Sequence, residues 1–404
     1  MRLPTEALLL FAKKLADPLR LEHEVRVLTN TQRRLAGRVA MVPKVDLDAY
    51  RFQAVYDWIE VRFHFARPTQ AQHVQRVLKQ FLDRNSHIEP EDLGPGGVFT
   101  ACTIKVQEPA SMARITEIHA ALKTSFGEAS AARVTGLEIS IDAYPVQPGD
   151  KDRAVLLGAM QRTIWTGRDI WSNKNSRPRA VFAKGETGVR KLLRAPTMRE
   201  RDLSAVSPDA HEIPPIDATM YLGASDDDLM IRLMDKVIDT QRMDGSFTDL
   251  SEDRKRVRIE ATLKGAELSA IGVTDIASLK ALQASKLQKR TFQFKLPTFS
   301  ARSQIRTGSD VLQNEKQRWR AKTWLRAGLV GLMAMDRASE NFLETQKRDV
   351  AKAVRRIKGP RPRVFAGKRL ADSFVAWEEM NRKVNVALTA LEKREGTAWK
   401  KLKA

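Results

Sequence analysis

Acidic and basic side chains recur at every second residue in three short stretches of this chain, and those residue types at that spacing suit metal-assisted chemistry on a phosphate. In Gly136-Leu-Glu-Ile-Ser-Ile-Asp142, Leu137, Ile139 and Ile141 alternate with Glu138, Ser140 and Asp142. Val257-Arg-Ile-Glu-Ala-Thr-Leu263 sets Arg258, Glu260 and Thr262 against Val257, Ile259, Ala261 and Leu263, and Ile231-Arg-Leu-Met-Asp-Lys236 puts Arg232, Met234 and Lys236 on one side. Successive side chains of a strand point to opposite faces and paired strands lie about 4.8 Å apart, so adjacent stretches would share one polar face. Hard divalent ions such as Mg²⁺ or Mn²⁺ take such oxygen ligands, and two carboxylates plus a substrate phosphate suffice. Glu138 and Asp142 stand about 13 Å apart along a strand, too far to share one ion, so Asp142 with Glu260 is the expected ligand pair. An antiparallel sheet with one wet face has the same parity, and the pattern alone leaves both readings open.

The elements that must position these residues are strands backed by helices. Trp58 to Phe65, Val98 to Val106 and Val134 to Tyr144 read as strands, followed by helices through Val74 to Leu82, Ser111 to Leu122 and Asp150 to Ile164. Thr219 to Gly223, Leu229 to Val237 and Arg256 to Lys264 read as further strands, the first two too close for a helix between them, which predicts a hairpin or meander. The expected fold class is α+β, a central sheet with packed helices. It occupies residues 46–300. Residues 1–45 are expected to form a basic N-terminal helical segment, because Leu8, Phe11, Ala12, Leu15 and Leu19 recur at helical spacing. Residues 301–404 are expected to form a basic helical region, with helices over Val311 to Trp324, Leu325 to Ile357 and Leu370 to Leu391.

Charge is distributed unevenly over this plan. The 404 residues hold 70 Lys+Arg against 49 Asp+Glu, a net +21 that favours a polyanionic partner. Residues 301–404 carry +14 and residues 1–45 carry +5, which leaves +2 for the middle. Basic flanks that grip a phosphate backbone around a near-neutral centre with carboxylates would show this distribution, as would solvated helix faces. Lys358, Arg361, Arg363, Lys368 and Arg369 surround Gly359, Pro360 and Pro362, and this basic elbow is a candidate DNA-backbone contact, with Arg258 a further one. Several chemistries are excluded. Cys102 is alone, and none of the six histidines is paired at metal-ligand spacing. Neither a phosphate-cradling Gly-rich loop followed by Lys-Ser/Thr nor a Gly-x-Ser-x-Gly elbow is present. The apolar runs Ala7 to Ala12 and Ala327 to Met335 fall far short of the ~20 residues a membrane span needs, so a cytoplasmic protein is expected.

At these residues the chain resembles the Rep_trans-type rolling-circle replication initiators of plasmids, phages and other mobile elements. The stretch from Thr219 to Lys236 is similar, without gaps, to the family's Thr-x-Tyr-x-Gly-x-Arg-x-Ser-x-x-x-x-Arg-x-Tyr-x-Lys block. Gly136 to Asp142 is similar to its Arg-Leu-Asp-x-x-x-Asp strand and Arg258 to Lys264 to its Arg-x-Glu-x-x-Leu-Lys strand, in the family's order. The likeness runs from about residue 50 to 265. It implies an origin-binding endonuclease in which a strand tyrosine attacks a DNA phosphate beside a carboxylate-bound divalent cation, with Glu138, Asp142 and Glu260 at the acidic positions and Arg232 and Lys236 at the basic ones. The partner implied is origin DNA, single-stranded or hairpin; a host helicase and a homodimer are further implications. Two departures from the pattern matter. Ser225 replaces an Arg, and Met234 stands where the nucleophilic Tyr belongs; a thioether cannot form a phosphodiester. Catalysis would then fall to Tyr144 or Tyr221. A relaxase of a conjugative element, a DNA-binding initiator or regulator without the chemistry, and an RNA-binding structural protein stay open as alternatives.

Overall fold

A computed structural model describes residues 8–10, 17–28, 35–83, 85–171, 173–182, 189–192, 212–241, 247–300, 307–355 and 374–403. In chain order the strands begin with β1 (Leu8–Leu10), β2 (Leu19–Leu21), β3 (His23–Val27), β4 (Arg38–Pro43), β5 (Tyr50–Thr69), β6 (His87–Glu91), β7 (Phe99–Gln107), β8 (Ser130–Pro145) and β9 (Ile164–Trp165). They continue as β10 (Arg179–Val181), β11 (Val189–Lys191), β12 (Thr219–Leu222), β13 (Leu229–Lys236), β14 (Ile238–Gln241), β15 (Phe247–Asp249), β16 (Arg256–Lys264), β17 (Gln293–Ser300) and β18 (Phe374–Ala376). The helices are α1 (Ala71–Leu78), α2 (Met112–Phe126), α3 (Asp150–Thr163), α4 (Gly265–Ala270), α5 (Leu287–Arg290), α6 (Gly308–Arg355) and α7 (Glu378–Lys403).

The fold is α+β, built on a nine-stranded sheet in the order β11-β10-β12-β13-β16-β8-β5-β7-β6. Every neighbouring pair in it is antiparallel. Alternation decides its two faces. Leu137, Ile139 and Ile141 of β8 join Val257, Ile259, Ala261 and Leu263 of β16 and Ile231 and Leu233 of β13 in one buried cluster. Ile115, Ile118 and Leu122 of α2, Leu156, Leu157 and Met160 of α3, and Met380, Val384, Leu388 and Leu391 of α7 belong to the same cluster, so helices back the apolar face. Buried positions three, four and seven residues apart give each helix one apolar stripe for that task. Local signals agree: Ser111 Oγ accepts from the Arg114 N–H at the start of α2, and Asp150 and Asp152 occupy the first turn of α3.

A second sheet, in the order β18-β17-β4-β3 with β9 also on β17, takes strands from both ends of the chain. The expected plan changes at two places, one of them in a separate two-stranded sheet of β1 and β2. Leu8–Leu10 and Leu19–Leu21, expected within a helix, are strands: β1 pairs antiparallel with β2, and Leu10 and Leu21 are both fully buried. A short apolar run suits either period, and here packing against α3 selects the strand. The helix expected from Leu370 starts only at Glu378, because Phe374–Ala376 pairs with β17. The long basic helix α6 is interrupted at Gly328, whose φ of 68° and ψ of −161° belong to a region open only to glycine. A Cβ there would meet Arg162 Cα at 2.6 Å. Beside the break the fully buried Arg162 donates from Nε to Leu325 O at 3.0 Å and from Nη1 to Gly158 O at 2.9 Å, so one guanidinium serves carbonyls near the end of α3 and of the first half of α6. Burial pushes the Arg162 pKa down to about 9. Among the described residues no helix is long and apolar enough to cross a membrane.

Candidate functional site

The polar face of the large sheet brings the three alternating stretches together in rows. Across the strands, Tyr221 pairs with Arg232, Arg232 with Glu260, and Glu260 with Ser140. One row along, Met234 faces Arg258 and Arg258 faces Asp142; one row the other way, Thr262 faces Glu138 and Glu138 faces Trp58. Lys236 lies opposite Arg256. Side chains two residues apart on each strand thus assemble into a single patch, since paired residues sit within about 5.5 Å.

A residue outside these stretches completes the patch. Tyr56 pairs with Ile139 and Trp58 with Glu138, so β5 has one residue more than β8 at this step, and the extra residue is Asp57. The bulge puts Asp57 on the polar face and turns the next residue, Trp58, to that face as well, while Tyr56 and Ile59 stay in the core. One carboxylate oxygen from each of Asp57, Glu138 and Glu260 lies within 4.8 Å of the others. These three are buried: Asp57 is 8%, Glu138 3% and Glu260 5% exposed.

Arginines bind this acidic centre. Arg232 Nη2 donates to Glu138 Oε1 at 2.7 Å and lies 2.5 Å from Glu260 Oε2, an oxygen that accepts no well-aligned hydrogen bond. The Thr262 hydroxyl donates to Glu138 Oε2 and Ser140 Oγ donates to Asp57 Oδ2 at 2.6 Å. Arg258 donates from Nη1 to Asp57 Oδ1 at 2.9 Å, and from Nε and Nη2 to the two oxygens of Asp142 at 2.6 and 2.7 Å. Arg256 Nε is 3.0 Å from Asp142 Oδ2. Burial pushes the Glu260 pKa up to about 8; the negative charges of Asp57 and Glu138 add to this, while Arg232 and Arg258 oppose it. Burial works against the Arg258 charge, yet Asp142, Asp57 and Glu260 outweigh it and hold its pKa above the ordinary arginine value. Lys236 is pushed below the usual lysine range, first by burial and then by Arg258.

Of the expected ligand pair, Asp142 is bound to two guanidiniums, and Glu260 is one of three carboxylates that converge, with Asp57 and Glu138. Arg258, expected among the DNA contacts, is 6% exposed and is spent on Asp57 and Asp142 beneath the surface. The basic elbow of Lys358, Arg361, Arg363, Lys368 and Arg369 lies outside the described residues. The Tyr144 hydroxyl donates to Asp142 Oδ2 at 3.4 Å, its ring lies under the Arg51 and Arg256 guanidiniums at 4.6 and 5.5 Å, and burial followed by Asp142 raises its pKa. Such a hydroxyl resists ionisation. Tyr221 lies in the row of Arg232 and Glu260, with the Arg179 guanidinium 4.7 Å above its ring.

Asp57 is the residue that sequence reasoning missed. Its one signal is an acid set between Tyr56 and Trp58 in an otherwise strand-like run. An all-oxygen donor set with one oxygen free of hydrogen bonds fits a hard divalent cation, which prefers carboxylate ligands.

No family model matches the chain, and no curated protein matches it. Among solved structures, it is similar to a rolling circle replication initiator protein from Geobacillus stearothermophilus, at 8% identity over 66% of this chain and 97% of that one, with a TM-score of 0.29. It is also similar to aspartate kinase from Synechocystis, at 12% identity over 62% of this chain and 44% of that one, with a TM-score of 0.15. Neither likeness is close enough to carry an inference about this chain.

Proposed function

We propose that this protein is a DNA-binding replication initiator of a plasmid, phage or other mobile element, and that it receives a DNA phosphate on the polar face of its large sheet. The observation that carries this reading is the convergence of Asp57, Glu138 and Glu260 within 4.8 Å, ringed by Arg232, Arg256, Arg258 and Lys236. A divalent cation held by the three carboxylates would polarise a phosphate oxygen and offset its charge. Arg232, a quarter of whose side chain is exposed, stands above Glu138 and Glu260 and is the guanidinium best placed to share a phosphate with such an ion. The +21 net charge supplies the long-range attraction, and the resemblance of the Thr219 to Lys236 block supports an initiator over other DNA-binding classes.

With Met234 opposite Arg258 the face offers no hydroxyl where the resemblance places the nucleophile, which favours binding without a covalent link. A second reading, nicking by Tyr221, is favoured by one observation: its row contains Arg232 and Glu260. One experiment separates them. Incubation with supercoiled plasmid and Mn²⁺, alongside a gel-shift titration, should give retention without nicking for the binder; nicking that disappears in Tyr221→Phe would select the enzyme. Failure to retain DNA at low salt, with or without Mn²⁺, would overturn both.

A further inference from the structure

Beside the acidic centre lies an aromatic ring that the reading above does not use. Trp58 follows Asp57 in the chain and pairs with Glu138 across to β8, so the β5 bulge aims an indole and a carboxylate onto the same face. The ring lies flat. Gly136 is beneath it, and a Cβ at that position would come within 2.7 Å of the indole, so the absence of a side chain at 136 is what lets the ring rest on the sheet. Its outer face meets Lys105, whose Nζ is 3.7 Å from the ring centroid. Trp58 belongs to the polar face and is 7% exposed, with Lys105 over its ring. A tryptophan in an ion-rich face, with a glycine against its ring and a cation over it, has the makings of a base-stacking site with a phosphate contact attached.

We propose that Trp58 stacks the base of an unpaired nucleotide next to the phosphate held at Asp57, Glu138 and Glu260, with Lys105 swinging from the ring to the DNA backbone. This rests on reading the face as a DNA site. It adds a base contact where carboxylates and arginines recognise only phosphate. Stacking tolerates any base, so the platform selects strand state over sequence.

The test uses single-stranded oligonucleotides with 2-aminopurine walked through each position, bound to the full-length protein. The unaltered protein should quench the probe strongly at one position. Trp58→Leu should abolish that quench and weaken single-strand binding about tenfold, about 1.4 kcal/mol of stacking, with a smaller change for duplex. Trp58→Phe should restore most of both. Lys105→Gln, which leaves the ring in place, should keep the quench and reduce the salt slope of single-strand binding by about 0.7. Unchanged quench and affinity in Trp58→Leu, with the unaltered protein binding normally, would overturn the platform alone. If Trp58→Leu does not fold, an unchanged salt slope in Lys105→Gln together with uniform quenching at every position in the unaltered protein overturns it. An unaltered protein that retains no oligonucleotide would overturn the DNA reading and the platform with it.

Discussion

At the residue scale, the acidic face divides into Asp142, which faces Arg256 and Arg258, and the trio Asp57, Glu138 and Glu260, which face one another as well as Arg232 and Arg258. Asp142 accepts two hydrogen bonds from Arg258, so Asp142→Asn should lower stability by about 1.5–3 kcal/mol, measured by chemical denaturation, while leaving Mn²⁺ binding in place. Asp57→Asn and Glu260→Gln should do the reverse and abolish the Mn²⁺ signal in titration calorimetry; equal loss from all three variants would refute the division. Glu260 also predicts a pH dependence. Its folded pKa is raised from an ordinary carboxylate value to about 8, so the folded chain holds the proton more tightly than the unfolded chain does. Its contribution is complete below the unfolded pKa and is lost as pH rises through the folded value. Metal-free protein should lose stability from about pH 5 to pH 8, and Glu260→Gln should flatten that decline, as followed by denaturant midpoints. A decline of the same size in the variant would assign it to another group.

At the scale of elements, two local irregularities do what regular strands and helices cannot. The bulge in β5 turns Asp57 and Trp58 to one face, and a strand read as strict alternation from Trp58 onward has no place for Asp57. The break in α6 lets its two halves pack against the end of α3, where Gly328 leaves no room for a Cβ and Arg162 takes the carbonyl of Leu325. Gly328→Ala should therefore destabilise the protein by about 1–3 kcal/mol, visible as a lower midpoint in thermal or denaturant unfolding, whereas Gly396→Ala, inside α7 with open space around its Cβ position, should stabilise it by about 0.4–1 kcal/mol. The sequence reading divided this region into two helices meeting between Trp324 and Leu325, close to the break, but its place at Gly328 follows from the close approach of a second helix, which periodicity does not contain.

At the scale of the whole molecule, the charge asymmetry predicts DNA affinity that falls steeply with salt. The basic C-terminal region cannot be removed to test this, because Trp324 of α6 and Met380, Val384 and Leu388 of α7 are buried in the two cores. Changing Arg361 and Arg363 together to Ala should instead lower the log–log salt slope by up to about 1.8 and weaken all duplex sequences alike; an unchanged slope would take both residues out of the interface. What the sequence determined by itself follows from local period: the strands β5, β7, β8, β12, β13 and β16 of the central sheet, which side chains share a face on β8, β13 and β16, and the helices α1, α2 and α3 between them, whereas the short strands β6, β10 and β11 carry no alternation long enough to read. Tertiary structure decided the rest. It paired the first leucines as strands, drew both chain ends into a second sheet, buried Arg258 and gave Asp142 to it, and brought Asp57 into the acidic centre with Glu138 and Glu260. The physical reason is that parity along a strand is set by the pleat and can be read residue by residue, whereas the distance between carboxylates on different strands depends on register and bulges, which only the packing of the whole sheet against its helices settles.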